Sequence, residues 1–453
     1  MLTQSRPYVS TTNACKLCRP LGAALAFKGI EGAVPFLHGS QGCATYMRRY
    51  LISHFREPVD IASSSLGEKE AVCGGGPNLK KGILNVMKKY RPEVVGVATT
   101  CLTETIGDDA GRLVREFKAE FSDLDLPEIV SVSTPAYGGS HMEGFHAAVR
   151  AVVDQLAADP APTAAVNLLP GFVSPADLRH LKDVFQDFGL AVTVMPDLSD
   201  PLDGPTLADY REIPEGGTPL AAIRRMAGAS ATIEFGRTLR TERSAGGLLQ
   251  ARYGVRLFSL GLPIGLRETD AFFAVLEAIS GTATPNRHVL ERGRLLDAYV
   301  DGHKYLSGQR AVVYGEEDLV AGLAAFLAEI GIRPVLAASG GGSGRLSAAI
   351  SAVCGSILTE MPRVMEDVDF HDIVEQARAM SPDLVLGNSK GYRVLARELG
   401  IPLVRVGFPV HDRFGAQRLR HLGYQGALSL FDSIVNAVLE KNQEESDVGY
   451  GYL

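Results

Sequence analysis

The sequence predicts an α/β protein of three units, each with a mostly parallel sheet. Short apolar runs recur along the chain, each followed by a polar or glycine-bearing turn and then a helical pattern. That alternation is the signature of strands joined by crossover helices. The chain has 453 residues, enough for two to four domains. Its 46% hydrophobic and 21% charged residues are an ordinary globular balance.

The first unit is expected over residues 1–160, with strands at 34–37, 58–62, 94–99 and 128–132. After Val34–Leu37, the turn His38-Gly-Ser-Gln-Gly42 carries two glycines that tolerate positive φ. A helix is expected from Ala44 to Phe55, with Tyr46, Arg48 and Arg49 in its first turns. Gly74-Gly-Gly-Pro77 opens a helix from Asn78 to Lys89, and 157–163 reads as a linker.

The second unit, 161–284, starts at Ala165-Val-Asn-Leu-Leu-Pro-Gly171. Ser174 and Pro175 are placed as cap and first residue of a helix that ends before Gly189. Strands are expected at 190–195, 231–235 and 256–260, a loop at 197–215 and a helix at 267–280. The third unit, 285–453, follows through a long helical pattern, 286–307. It should hold strands at 309–315, 333–338, 357–360, 383–386 and 402–406, with helices at 318–330 and 428–439. From Lys441 the chain turns polar and should leave the fold, while Val448-Gly-Tyr-Gly-Tyr-Leu453 is suited to docking on a partner.

Six cysteines at this length are not a secreted disulfide framework. Four fall before residue 75 and a fifth is Cys101, so they cluster. Cys43 and Cys101 both sit where an apolar run gives way to a helix. Unpaired N–H groups and the helix dipole favour a thiolate there. Two such positions from one parallel sheet share its edge. With Cys15 and Cys18 in Asn13-Ala-Cys-Lys-Leu-Cys-Arg-Pro20, the set suits an iron–sulfur cluster better than a disulfide. A formal charge of −7 without a long basic run argues against nucleic acid as a partner. Neither a secretory leader nor a membrane-length apolar run is visible, and a cytoplasmic protein is expected.

Several motifs together resemble the β-type subunits of nitrogenase and its relatives. They are Cys18-Arg-Pro-Leu-Gly-Ala23, His38-Gly-Ser-Gln-Gly-Cys43, His54-Phe-Arg-Glu-Pro58 and Thr99-Thr-Cys-Leu-Thr-Glu-Thr-Ile-Gly-Asp108. Thr134-Pro-Ala-Tyr-Gly-Gly-Ser-His141, Leu386-Gly-Asn-Ser-Lys390, Arg405-Val-Gly-Phe-Pro-Val-His-Asp-Arg413 and Leu422-Gly-Tyr-Gln-Gly-Ala427 complete the set. The resemblance implies three Rossmann-like domains and a place beside an α-type subunit in an α2β2 heterotetramer. It implies a P-type [8Fe-7S] cluster shared between the two subunits, with Cys18, Cys43 and Cys101 as this chain's ligands. A separate ATP-dependent iron–sulfur reductase would deliver electrons to a metal cofactor in the α-type subunit. Tyr46 matches a tyrosine on the helix between cluster and cofactor. No Walker A pattern is present, so ATP should bind the reductase and not this chain.

The chain also departs from the family pattern. Ala136 stands where the family carries a serine that can bind the oxidised cluster, and Cys15 and Cys73 are extra. The long N-terminal extension of the molybdenum-nitrogenase β subunit is missing. Those features favour a reductase of methylthio-alkanes, which cleaves C–S bonds. A dinitrogen-reducing enzyme and a cofactor-assembly scaffold with a [4Fe-4S] cube are the alternatives. For the side chains around the motifs, packing is the competing expectation. Cys15 should lie beneath the site and Cys354 in the core. His38 should bond its own turn, 54–57 should be a salt-bridged interface, and Gly387-Asn388-Ser389 an anion nest or an interdomain contact.

Overall fold

The computed structural model describes residues 13–448. Three sheets follow one another along the chain, and every strand pairing is parallel. The first contains β1 (Ala33–His38), β2 (Ala62–Ser63), β3 (Val94–Thr99) and β4 (Glu128–Val132), in the order β2-β1-β3-β4. The second contains β5 (Val166–Leu169), β6 (Val192–Val194), β7 (Ala231–Phe235) and β8 (Arg256–Leu260), ordered β6-β5-β7-β8. The third contains β9 (Arg310–Gly315), β10 (Arg333–Ser339), β11 (Arg363–Met365), β12 (Leu384–Gly387) and β13 (Leu403–Arg405), ordered β11-β10-β9-β12-β13. The fold is α/β, as the strand–helix alternation predicts.

Helices cover the sheets. Around the first lie α1 (Arg19–Lys28), α2 (Gln41–Phe55), α3 (Glu68–Cys73), α4 (Gly76–Tyr90), α5 (Cys101–Ile106), α6 (Ala110–Glu120) and α7 (His141–Leu156). The second has α8 (Pro175–Asp187), α9 (Leu220–Arg225), α10 (Ala245–Tyr253) and α11 (Gly265–Ser280). The connecting α12 (Asn286–Leu306) leads to α13 (Glu317–Glu329), α14 (Leu346–Cys354), α15 (Phe370–Met380) and α16 (Gly423–Glu445). β1 and β3 are buried along their whole length, which is why they read as unbroken apolar runs. α8 is capped as its sequence specifies, with the Ser174 hydroxyl accepting from Asp177 N–H.

α1 is buried over all but its first residue, so its apolar residues run around the whole helix. It crosses α7 at very short range, and two glycines permit this. A Cβ on Gly22 would sit 1.7 Å from the His141 carbonyl oxygen, and one on Gly144 would sit 2.0 Å from that of Arg19. The crossing fixes the start of α1, and with it Cys18.

Three expectations need correction. Residues 58–61 are not a strand: Val59 and Ile61 are buried, but ladder pairing begins only at Ala62. Residues 357–360 are a turn, because the N–H groups of Ile357 and Leu358 both return to the Cys354 carbonyl after α14. The strand pairing with β10 is Arg363–Met365 instead. The polar stretch from Lys441 does not leave the fold at once, since α16 runs on to Glu445. The residues after Val448, assigned to docking, lie outside the described residues. Among the described residues, no helix is long and apolar enough to cross a membrane.

Candidate cluster site

In the order β2-β1-β3-β4 the chain leaves β1 toward one side of the sheet and crosses to the other before β3. The crevice outside the carboxyl ends of these two strands is the topological switch point, where such sheets bind ligands. Both strand-end cysteines are delivered there. β1 ends at His38, and Cys43 lies in the first turn of α2; β3 ends at Thr99, and Cys101 is the first residue of α5. The two turns touch, since a Cβ on Gly39 would fall 2.1 Å from Thr100 Oγ1. Cys18 arrives from a third direction, as the N-cap residue of α1.

The helix that carries Cys43 starts earlier than its sequence suggests, at Gln41 and not Ala44. Cys43 is therefore inside the first turn. Ala44, Met47, Leu51, His54 and Phe55 form the buried face of α2, at three- and four-residue spacing. The opposite face carries Tyr46, which is 49% exposed.

Each sulfur has a defined environment. The Ser40 hydroxyl does not cap α2; it donates to Cys43 Sγ at 3.5 Å. Ala136 N–H donates to Cys101 Sγ at 3.2 Å. That placement follows from the exit of β4: Thr134 donates its N–H to Thr99 Oγ1 at 2.8 Å and its hydroxyl to the Thr99 carbonyl at 2.7 Å. Burial pushes the Cys18 thiol up, and the charges of Cys101 and Cys43 push it further. Cys18 thus lies within electrostatic reach of both other cysteines. All are free and partly buried. Among the described residues, no three His, Cys, Asp or Glu side chains close to the spacing of a single metal ion. As a donor set, soft thiolates from three free cysteines suit iron–sulfur ligation.

Below the thiols the motifs lock the turns. His38 is fully buried, with Nδ1 3.0 Å from Ser64 Oγ and Nε2 3.2 Å from Asp108. Burial holds its pKa below the ordinary value despite Asp108. His38 was expected to bond its own turn; its ring instead bonds Ser64 and Asp108 from other segments, because the side chain points into the fold, and Asp108 also accepts from Gly75 N–H at 2.9 Å. Tyr46 OH is 3.0 Å from Tyr50 OH, with the rings edge to face. The Tyr50 hydrogen bond raises the Tyr46 pKa to about 12, together with burial and with charge on Tyr50 and Cys18.

The remaining cysteines stay outside this group. Cys15 is buried in the core of the third unit with Tyr314 and Phe370, and burial pushes its thiol up to about 12. Cys73 is exposed at the end of α3, and Cys354 is buried at the end of α14. The 54–57 run is an interface without an ion pair among the described residues. His54 Nδ1 accepts from Val410 N–H at 2.9 Å, and Arg56 donates to the His411 carbonyl at 3.4 Å. Asn388-Ser389 is an internal contact: Asn388 Nδ2 donates to the Phe408 carbonyl, and the Ser389 hydroxyl bonds Asp412.

Tyr50 and Lys390 are neighbours of the site that the sequence did not single out. Lys390 Nζ donates to the carbonyls of Ala14 and Lys16 and feels the charges of Cys15 and Cys18. The spacing of Tyr50, one helical turn after Tyr46, was a readable signal. For Lys390 there was none, because its partners are more than 370 positions away.

The family model described as nitrogenase component 1 type oxidoreductase matches residues 18–439. The nitrogenase molybdenum-iron protein beta chain of Clostridium pasteurianum is 34% identical over 434 residues, 96% of this chain and 94% of its own. That of Methanothermobacter thermautotrophicus is 36% identical over 442 residues, 95% of each. A solved chain of nitrogenase Cp1 at pH 6.5 superposes with a TM-score of 0.94 at 33% identity, over 99% of this chain and 98% of its own. Another, from nitrogenase Cp1 at pH 5, reaches a TM-score of 0.72 at 16% identity, a likeness of fold alone. The chain is therefore a member of the nitrogenase component 1 type oxidoreductase family, and within that family a β-type subunit of an oxidoreductase complex.

Proposed function

We propose that this chain holds one side of a P-type [8Fe-7S] cluster through Cys18, Cys43 and Cys101, at an interface with an α-type subunit in an α2β2 assembly. In this reading an ATP-dependent iron–sulfur reductase is the electron donor, and the metal cofactor of the α-type subunit is the acceptor. The observation that carries it is that the touching turns after β1 and β3 bring Cys43 and Cys101 to the carboxyl edge of one parallel sheet, with Cys18 at the start of α1 within electrostatic reach of both. Such a cluster supplies low-potential electron storage. This chain's contribution is to hold the sulfurs, keep water from their buried side and set the potential. Donors to sulfur from Ser40 and Ala136 draw charge from the thiolates and favour the reduced state. Tyr46 and Tyr50 stand one and two turns along α2 and are placed to shape the electron's exit.

For the reaction, Ala136 favours C–S bond reduction of methylthio-alkanes over dinitrogen reduction, since the position where the family carries a serine offers Cys101 a backbone N–H and no hydroxyl. Iron analysis and electron paramagnetic resonance of the purified complex test the cluster. Eight irons per subunit pair beyond the partner's cofactor, lost in Cys43→Ala, are expected. A single four-iron cube would instead establish a cofactor-assembly scaffold, and full iron in Cys43→Ala would remove that residue from the ligand set. Turnover of a methylthio-alkane against dinitrogen by the same preparation decides the substrate.

A further inference from the structure

Glu104 belongs to the motif at 99–108, and nothing said so far uses its carboxylate. It stands three residues after Cys101 on α5, so the two side chains are neighbours on one face of that helix. Glu104 Oε1 accepts from two hydroxyls, those of Thr99 at the end of β3 and of Ser133 just beyond β4. Glu104 Oε2 makes no hydrogen bond among the described residues, and the nearby Arg19 guanidinium feels the carboxylate's charge.

The direction of each bond follows from this. A hydroxyl has one proton to give. Thr99 gives its proton to Glu104, which leaves the Thr99 oxygen to accept from Thr134 N–H at 2.8 Å. The Thr134 hydroxyl donates in turn to the Thr99 carbonyl at 2.7 Å. Thr99 and Thr134 are both buried, so no solvent stands ready to replace these partners. Two residues further on, Ala136 N–H donates to Cys101 Sγ at 3.2 Å. The hydroxyls of Ser133 and Thr134 and the N–H groups of Thr134 and Ala136 thus all end on Thr99, Cys101 or Glu104. One short helix supplies both the sulfur and the carboxylate that orders the strand exit facing it.

We propose that Glu104 is a positioning residue, holding the exit of β4 through Thr99 and Ser133 so that Ala136 N–H stays aimed at the Cys101 sulfur. This geometry does not depend on what the sulfur binds. Its effect on a potential rests on the cluster of the proposed function, since donors to sulfur favour the reduced state.

Two variants of the purified complex separate aim from charge. Glu104→Gln loses the charge and keeps an oxygen for both hydroxyls, while Glu104→Ala loses charge and oxygen together. Hydrogen exchange at the Ala136 amide, resolved by fragmentation mass spectrometry and scaled to the amides of β3, reads the bond to sulfur. Exchange should be about tenfold faster in Glu104→Ala than in Glu104→Gln, which should match the parent. Redox titration of the iron-loaded complex reads the consequence. The midpoint of Glu104→Ala should lie below that of Glu104→Gln, because both lack the charge and only the alanine variant loses the donor to sulfur. Equal exchange in the two variants, or equal midpoints, overturns the proposal. A parent complex without the eight-iron cluster would instead refute the proposed function, and exchange alone would then decide the role of Glu104.

Discussion

Ala136 hydrogen-bonds Cys101 through its backbone N–H and carries no hydroxyl, so this position offers a donor to sulfur and no side-chain oxygen ligand. Ala136→Ser should add one. With the cluster of the proposed function in place, the oxidised complex should show an altered paramagnetic spectrum while the reduced complex keeps its own. Unfolding stability should move by no more than about 0.5 kcal/mol, as for a surface change. Lys390 is a second telling residue. Its ammonium is the donor for two carbonyls of the 14–16 segment. Lys390→Met should cost about 1–3 kcal/mol through those unmet acceptors, read as a lower thermal midpoint. With that cation gone, the potential of the thiol-held group should also fall, measured by redox titration. The placement of Cys43 and Cys101 was legible because strand end, turn and cysteine are adjacent in sequence, whereas Cys18 rested on its motif alone. Lys390 was quoted only as part of a motif, since nothing local shows what a lysine reaches.

Secondary structure was legible wherever burial and local chemistry agreed. β1, β3, β7 and β12 are apolar runs bounded by turns, and Ser174-Pro175 starts α8. It was misread where burial occurs without pairing. Val59 and Ile61 are as apolar as strand residues but enter the main core from an unpaired segment, and Ile357-Leu358 closes a helix. α1 went unassigned because an apolar helix without a polar face gives no period to follow. Its position depends on Gly22 and Gly144. Gly22→Ala should therefore push α1 from α7, costing about 1–3 kcal/mol as an overpacked contact. Circular dichroism melting measures the loss. Because Cys18 is the N-cap of α1, reduced iron content should accompany it.

Across the whole molecule, long-range ties hold the first unit to the third. His54 shows how they respond to pH. Burial, with the nearby cations His411 and Arg56, holds its pKa near about 3, and its neutral Nδ1 accepts from Val410 N–H. Above the unfolded value near 6.5, both states are neutral and the tie is intact. As pH falls below that, only the unfolded chain takes up the proton, so stability drops by roughly 2 kcal/mol at pH 5. His54→Asn keeps an acceptor that does not titrate. Its thermal midpoint should depend less steeply on pH between 7 and 5 than the parent's. No sequence pattern disclosed these ties, because their partners are hundreds of positions apart. One of them bears on how the protein is made. Ala14 bridges to Asp369, and Lys390 clasps the carbonyls on either side of Cys15. The ribosome releases Cys43 and Cys101 early, within a sheet complete by residue 132. Cys18 emerges before either of them and is seated by the α1–α7 crossing, yet the 14–16 segment that precedes it meets its anchor only near the end of synthesis. Under the proposed function, the segment leading into the first ligand is thus tied down only once the chain is nearly complete.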